Sequence, residues 1–346
     1  MEKFQLDRHK IIRGLLISLA IGISAFLVIF LVTIDQDTMK SIRYIDRHYF
    51  ILAILAIIFS GLIEAMRIKV VTRAVEEKIG FWQAVKVFYI SFFLGGITPY
   101  FSGAIPSQVF LFTQQGIPVG KSTMIATVRP IIKSIIFALF TPILFLYFRE
   151  SVEKYAALSL LLIVLAIMFT ILILIVFALA VKNPKKLTTY LERLKKTHFL
   201  GKFLKKKRVQ ELIGRMMAQA LEFNKSFDLL FRHRLELLLA LFYTVLYWFF
   251  YFSIAPLLLL GMNIQLNYAL VMAIQVLIFF LLPFIPTPGG SGAAEVGFAS
   301  LFAFFVPANL LGIYVAGWRL LTFYFNMILG AVLSLDWLRK WIYPKT

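Results

Sequence analysis

The sequence contains no cysteine and only four histidines, and none of these histidines lies within a long apolar run. The absence of cysteine excludes disulfide bonds, thiolate catalysis and cysteine-ligated metals. The four histidines offer no metal-ligand spacing and no Ser/His/Asp arrangement, which argues against most hydrolytic enzymes. A phosphate-binding GxxxxGK[ST] loop is also missing, so direct use of ATP is not expected. We therefore predict no catalytic centre, no metal site and no cofactor.

Acidic residues are scarce as well, because 17 Asp and Glu stand against 36 Lys and Arg, for a formal net charge of +19. The sequence is instead rich in apolar residues, which make up 61% of it and raise the mean hydropathy to +0.87. The run 11–34 contains a single charge, Arg13, and exceeds the roughly 20 residues that a spanning helix needs. It lacks a small-residue cleavage site, so we predict a retained span rather than a signal peptide. The chain is therefore expected to be a polytopic membrane protein.

The positive charge is concentrated in the polar stretch 182–234, which contains 15 Lys and Arg against four acids. Few aromatic residues accompany these charges and apolar runs flank the stretch, so we predict no nucleic-acid binding. Cytoplasmic loops of membrane proteins are enriched in Lys and Arg, and such charges lie close to anionic headgroups. The pattern predicts a basic cytoplasmic linker with an amphipathic surface helix around 209–231.

A short segment recurs in the two halves of the chain. Residues 98–104 read TPYFSGA and residues 287–293 read TPGGSGA, with five of seven positions identical. An arginine follows each copy in the next apolar run, at Arg129 and at Arg319. Helices broken at matching positions of two halves are typical of transporter binding sites. The repeat predicts two related units, 49–148 and 235–335, within a single membrane domain that spans 1–346.

The placement of charge favours about six full transmembrane helices and two re-entrant helical hairpins that enter from opposite faces. The predicted spans are 11–34, 49–66, 122–148, 155–181, 235–261 and 309–335. The hairpins occupy 79–116 and 266–306 and turn at the two copies of the repeat. The linker and both termini then lie in the cytoplasm, as the positive-inside rule requires. The predicted fold is an all-α polytopic protein of the cell membrane with an inverted repeat; the alternative is ordinary loops between shallow helices.

Proline and glycine break the apolar stretches at both turns and leave helix ends whose N–H groups carry partial positive charge. Irregular backbone at membrane depth persists only where it is buried in protein or lines a wet cavity. We therefore assign the turn residues to a shared substrate site near the midplane: Thr98, Pro99, Gly103, Pro288, Gly289, Gly290 and Gly292.

Arg129 and Arg319 lie well inside apolar spans, where an unpaired cation costs roughly 3 kcal/mol or more. Guanidinium groups form paired hydrogen bonds with phosphate and stay charged when desolvated. We predict that both face a cavity and bind an anionic lipid headgroup, together with Lys133, one helical turn after Arg129. Glu295 follows the second turn and is expected to cap the next helix, to approach an arginine of the opposite unit, or to couple proton movement. The alternative is that Glu295 and an arginine only neutralise each other and hold the hairpin in place.

Two further charged residues near the end of the second predicted span, Glu64 and Arg67, are three positions apart. This spacing places them on one helix face. We interpret them as a local pair near the cytoplasmic interface rather than as a ligand site.

The block Pro286-Thr-Pro-Gly-Gly-Ser-Gly-Ala-Ala-Glu295, followed by Arg319, resembles the signature of the lysylphosphatidylglycerol synthase transmembrane, or flippase-like, family. Ile97-Thr-Pro-Tyr-Phe-Ser-Gly103, with Pro106-Ser-Gln108 and then Gly116-Ile-Pro-Val-Gly-Lys121, resembles the other motif block of that family. The resemblance covers about residues 10 to 340 and adds Gln108 to the predicted substrate site.

The resemblance implies a protein that moves a phospholipid or a polyprenyl-phosphate-linked lipid between leaflets. Nothing follows Thr346, so we expect the soluble aminoacyl-transferase domain of the family and its synthase activity to be absent. The alternative is a non-transporting membrane subunit that scaffolds a lipid-modifying enzyme or a glycosyltransferase. A third hypothesis, an integral-membrane enzyme with Glu295 as a base, lacks a nucleophile or a metal cluster. The expected partners are a membrane lipid with an anionic headgroup and enzymes of lipid or glycan assembly.

Overall fold

The computed structural model of this chain describes residues 46–147, 207–282 and 285–342, together with Met168 and Ile171. These residues are helical or lie in short connections, and their one β-type contact is an isolated bridge. Predicted span 11–34 and nearly all of predicted span 155–181 lie outside the described residues.

The bounds of ten α-helices are described. They are α1 (Arg47–Ala74), α2 (Phe81–Gly96), α3 (Ala104–Thr113), α4 (Val119–Tyr147), α5 (Lys207–Arg232), α6 (Arg234–Gly261), α7 (Tyr268–Leu281), α8 (Ala293–Phe302), α9 (Ala308–Arg319) and α10 (Phe325–Ile342). A π-helical turn, Leu320–Tyr324, joins α9 to α10, so the two form one long helix.

Four of the described helices are long and apolar enough to cross a membrane: α1, α4, α6 and the combined α9–α10. They correspond to the predicted spans 49–66, 122–148, 235–261 and 309–335. Helix α1 continues to Ala74, eight residues beyond the predicted end of its span. The all-α polytopic membrane fold is thus confirmed for this part of the chain.

The predicted hairpin arms are also helices, because apolar runs bounded by proline and glycine have local start and stop signals. Arms α2 and α3 flank the first copy of the repeat, and arms α7 and α8 flank the second. Both turns use the left-handed backbone conformation at matching positions. Tyr100 and Phe101 have φ of 56° in the first turn, where Gly289 and Gly290 have φ of 61° and 68° in the second.

The helices of the two halves pack against each other reciprocally. Helix α1 packs along α6, α2 packs on α10, and α7 packs on α4. The two turns meet directly, since Pro99 and Pro288 form an antiparallel bridge. The first arm of each broken pair therefore lies against the last long helix of the other half, and the turns lie at the centre of the packing.

Helix α5 is the amphipathic helix predicted within the basic linker, and it lies on α4. Glu222 Oε2 of α5 accepts a hydrogen bond from the N–H of Gly120, at the start of α4, at 3.2 Å. A Cβ on Gly120 would lie 2.8 Å from the Gln219 carbonyl oxygen. The close approach of α5 to the start of α4 therefore depends on glycine at this position.

Candidate functional site

Arg319, the last residue of α9, is held by the second turn and by α8. Its Nε donates to Glu295 Oε1 at 2.8 Å, and its Nη2 donates to the Gly289 carbonyl at 2.9 Å. The guanidinium also covers the Phe323 ring, with Cζ 4.0 Å from the ring centroid. Arg319 and Glu295 are 5% and 1% exposed. The two side chains form a one-to-one buried ion pair.

The second carboxylate oxygen of Glu295 caps α8 by accepting from the N–H of Gly292 at 2.7 Å. This contact matches the predicted capping role. The predicted approach to an arginine of the opposite unit is wrong, because the partner, Arg319, belongs to the same half of the chain. The pair instead ties the second turn to α9, which is the arrangement that the alternative interpretation described.

Arg129 of α4 lies in a differently balanced cluster. Its Nη1 donates to Glu64 Oε1 of α1, and its Nη2 donates to Gln108 Oε1 of α3. Its Nε donates to the Ile125 carbonyl of its own helix at 3.3 Å. The same Glu64 carboxylate accepts from Arg67 Nη2 at 2.8 Å. One carboxylate therefore accepts hydrogen bonds from two arginines, and the other side-chain partner of Arg129, Gln108, is neutral.

Arg67 extends this cluster from α1 to α6. Its Nη1 donates to Thr244 Oγ1 at 3.0 Å, and its Cζ lies 5.6 Å from the centroid of the Tyr247 ring. Its Nε is buried and has no hydrogen-bond partner among the described residues. The predicted Glu64–Arg67 pair is present, but the prediction missed its burial and its extension to Arg129.

A cavity of about 190 Å³ lies between the second turn and helices α2, α4, α6, α7 and α9–α10. Its polar wall contains Lys133 of α4 and Arg319 of α9, together with the backbone of Gly289 and Gly290. Its apolar wall is mostly aromatic and includes Phe92, Tyr247, Trp248, Tyr251, Phe279 and Phe323. The cavity thus presents two cations, one from each half of the chain, above an aromatic floor.

Lys133 has no carboxylate within ion-pair distance among the residues that the structure describes. Its Nζ lies 5.7 Å from the Phe137 ring centroid and 5.9 Å from that of Trp248. Trp248 Nε1 is buried without a hydrogen-bond partner in the described structure. Two donors on or beside the cavity wall therefore lack an acceptor.

The predicted site residues fall into three groups. Lys133, Arg319, Gly289 and Gly290 line the cavity. Arg129 is not among the residues lining it and contacts Gln108 and Glu64 instead, so the prediction that both arginines face one cavity is wrong for this cavity.

The remaining predicted residues belong to the turns. Thr98 Oγ1 donates to the Gly95 carbonyl at 2.8 Å and accepts from the N–H of Gly103 at 2.8 Å. Gly103 itself has no room for a side chain, because a Cβ would lie 2.6 Å from the Leu94 carbonyl oxygen. Pro99 and Pro288 form the bridge between the turns, and Gly292 donates to Glu295. These contacts set the shape of the turns.

Sequence reasoning missed the aromatic wall of the cavity. A signal was available in α6, where Tyr247, Trp248 and Tyr251 follow helical spacing and fall near one face. Phe242, Val245 and Phe249 of the same helix are exposed and lie on its opposite face. A face of large amphipathic rings within an apolar helix is the feature that marked the wall.

The long apolar helices and the two broken helix pairs, with ion pairs buried between them, define an all-α polytopic membrane protein. The model of the family described as the lysylphosphatidylglycerol synthase TM region matches residues 15–330. The chain belongs to this family, which confirms the resemblance seen in the two motif blocks. A protein of Archaeoglobus fulgidus described as a UPF0104 membrane protein is 26% identical over 320 residues, which are 92% of this chain and 95% of that protein.

Proposed function

We propose that this protein moves a phosphate-bearing lipid between the two leaflets of the cell membrane, with the headgroup passing through the cavity. The observation that carries the proposal is the composition of the cavity wall. Lys133 comes from the first half, whereas Arg319, Gly289 and Gly290 come from the second. A ligand bound there contacts both halves, so a movement of one half against the other changes its exposure to each side.

The proposal places the broken helix pairs α2–α3 and α7–α8 in the membrane as re-entrant hairpins that enter from opposite faces. It is supported by the reciprocal packing of α2 on α10 and α7 on α4. It is supported further by the bridge between Pro99 and Pro288. In this arrangement the basic linker 182–234 and both termini lie in the cytoplasm, as the distribution of Lys and Arg favours.

Transport is tested with the purified full chain in liposomes that contain a fluorescent phosphatidylglycerol, by following how much label becomes accessible to an external quencher. Leu282 lines the cavity, so Leu282→Trp fills it without changing any charge. Leu139 of α4 is 63% exposed and provides the matched control, Leu139→Trp. We expect the wild type and Leu139→Trp to move the lipid and Leu282→Trp to be inactive.

Two results would contradict this function. Full activity of a folded Leu282→Trp variant would remove the cavity from the transport route. Absence of lipid movement by the wild type, in liposomes where a known scramblase is active, would favour the non-transporting scaffold.

The inverted arrangement is tested by labelling single cysteines, which is straightforward because the chain has no native cysteine. Lys121 follows the first hairpin and Pro307 follows the second. We expect a membrane-impermeant thiol reagent to label Lys121→Cys from the cytoplasmic side and Pro307→Cys from the opposite side. Labelling of both positions from one side contradicts the inverted repeat.

A further inference from the structure

The charges around the cavity are unbalanced. The cavity wall and the two arginine clusters contain four cations, Arg67, Arg129, Lys133 and Arg319, and two carboxylates, Glu64 and Glu295. These residues therefore carry an excess of two positive charges. The three arginines and both glutamates are buried, and Lys133 is half-buried. Because a charge withdrawn from water without a counter-charge is unfavourable, this excess favours an anionic ligand.

Both carboxylates are already engaged, which limits what else the ligand can carry. Glu64 accepts from Arg67 and from Arg129. Glu295 accepts from Arg319 and from the N–H of Gly292. Neither carboxylate is left to hold an ammonium group, so the charged part of the site offers a zwitterionic headgroup no partner for its amine.

Part of the aromatic wall is already covered by cations, since the Arg319 guanidinium lies 4.0 Å from the centroid of the Phe323 ring. A quaternary ammonium binds over aromatic faces within about 6 Å of the ring centroid. At Trp248 that position is taken by Lys133 Nζ, 5.9 Å from the centroid. A second cation in the same place is repelled by the lysine, so the cavity disfavours choline-type headgroups.

Three unpaired groups in or near the cavity are hydrogen-bond donors. Glu64 Oε2 also lacks a hydrogen bond, but it lies 2.7 Å from Arg67 Nη2 in an ion pair. Lys133 lacks a carboxylate partner among the described residues, and Trp248 Nε1 and Arg67 Nε are buried without acceptors. Lysine, arginine and the indole N–H have no acceptor capacity. They require a ligand group rich in acceptor oxygens, and an ionised phosphate meets this requirement with charge-assisted bonds.

We propose that the cavity selects lipids whose headgroup carries net negative charge, a phosphate without a compensating amine, and that Lys133 sets this selection. This inference rests on the proposed function for the assumption that the ligand is a membrane lipid. Arg319 is committed to Glu295, whereas Lys133 is free of a carboxylate partner in the described structure. Lys133 is therefore the cation that distinguishes anionic from zwitterionic lipids.

The test measures the melting temperature of the purified full chain in detergent with increasing dioleoyl phosphatidylglycerol, phosphatidic acid, phosphatidylcholine or lysylphosphatidylglycerol. We expect the first two lipids to stabilise the wild type at about tenfold lower concentration than the other two, the equivalent of about 1.4 kcal/mol. Lys133→Met should abolish this difference, and Lys133→Arg should retain most of it. Lys86→Met removes a lysine from the exposed face of α2 and should leave the difference unchanged.

Several outcomes overturn the selection by charge. Equal stabilisation of the wild type by all four lipids does so, and this result needs no variant to fold. If Lys133→Met keeps the preference for anionic lipids, Lys133 does not set the selection. If Lys86→Met loses the preference, surface charge is its source. Full stabilisation by inorganic phosphate alone would show that the ligand is a soluble anion and not a lipid.

The liposome assay separates this inference from the proposed function. Equal transport of phosphatidylcholine and phosphatidylglycerol by the wild type contradicts the selection by charge and leaves lipid transport intact. Selective stabilisation by anionic lipids without any transport leaves the binding site intact and contradicts only the transport function.

Discussion

The two halves of this protein bury an arginine at related positions but neutralise it differently. Arg319 has a carboxylate to itself, supplied by Glu295 of its own half at 2.8 Å. Arg129 shares Glu64 with Arg67 and completes its contacts with the neutral Gln108. In the second half one carboxylate therefore neutralises the arginine, whereas in the first half two arginines share one carboxylate and an excess of positive charge remains. The difference indicates that one arginine mainly fixes a turn and that the other belongs to a cationic cluster beside the cavity.

The two turns show a second contrast, since they share a backbone conformation but not their surroundings. Tyr100 and Gly289 occupy matching positions, both with positive φ. Tyr100 is 55% exposed, so its side chain has space. A Cβ on Gly289 would lie 2.3 Å from the Phe323 ring and 3.1 Å from the Gly96 carbonyl oxygen. Glycine is therefore required in the second turn by packing as well as by backbone conformation.

The largest expected effect separates the two arginines. Arg319→Ala leaves Glu295 buried without its cation and should lower the free energy of unfolding by about 3–5 kcal/mol. Arg129→Ala leaves Glu64 paired with Arg67 and should cost only about 1–3 kcal/mol. Thermal unfolding of both variants in detergent measures this difference.

The double variant Glu295→Gln with Arg319→Met provides the control for this comparison. It removes both charges of the Glu295–Arg319 pair, so it should recover part of the stability that Arg319→Ala loses. A larger loss of stability for Arg129→Ala than for Arg319→Ala would contradict the view that Arg319 depends on one carboxylate while Glu64 keeps a second arginine.

An intermediate effect is expected at the matching turn positions, with opposite signs. Gly289→Ala places a Cβ against Phe323 at positive φ and should destabilise the protein by about 2–4 kcal/mol. Tyr100→Gly removes the backbone strain of a tyrosine at positive φ but increases the entropy of the unfolded chain. The net result should be a stabilisation of the protein by about 0.5–1 kcal/mol. Melting temperatures of the two variants, measured in one detergent, check the signs. Destabilisation by both substitutions to a similar extent would contradict the contrast.

The smallest expected effect concerns the threonine that opens each turn. Thr98 Oγ1 accepts from the N–H of Gly103, whereas Thr287 Oγ1 donates to the Ser291 carbonyl. Thr98→Ala leaves a backbone donor without this partner and should cost about 1–2 kcal/mol, while Thr287→Ala should cost about 0.5–1 kcal/mol. Chemical denaturation of the two variants resolves the order. Thr123→Ala is the control, because it removes a half-buried hydroxyl of α4 that donates to the Val119 carbonyl outside both turns. Equal losses in the free energy of unfolding would show that the two hydroxyls contribute equally to stability.

Helix limits were predictable because their signals are local. The predicted hairpin 79–116 contains α2 and α3 and ends three residues after α3, and the predicted span 235–261 begins one residue after the start of α6. The prediction for α1 stopped at 66 because a charge follows. The helix continues because Glu64, three residues before Arg67, neutralises that charge on the same face. A charge that ends a hydropathy run does not end a helix when its partner is one turn away.

The partners of the charged residues were less predictable. Arg67 donates to Thr244, 177 residues further along the chain. Nothing in the local pattern around either residue indicates that contact. The repeat suggested that Arg129 and Arg319 have equivalent roles, but the residues that surround them differ. Glu64 of α1 reaches Arg129, and Glu295 of α8 reaches Arg319.

The sequence by itself determined membrane residence, the helices on either side of each turn, the positions of the two turns and the family. These properties depend on the length of apolar runs and on proline and glycine, which act within a few residues. Only the tertiary structure decided which carboxylate serves which arginine, that Lys133 lies beside Trp248, and that a cavity forms there. The reason is that ion pairing and cavity shape depend on distances between helices that are far apart in the chain, and the repeat constrains those distances only approximately.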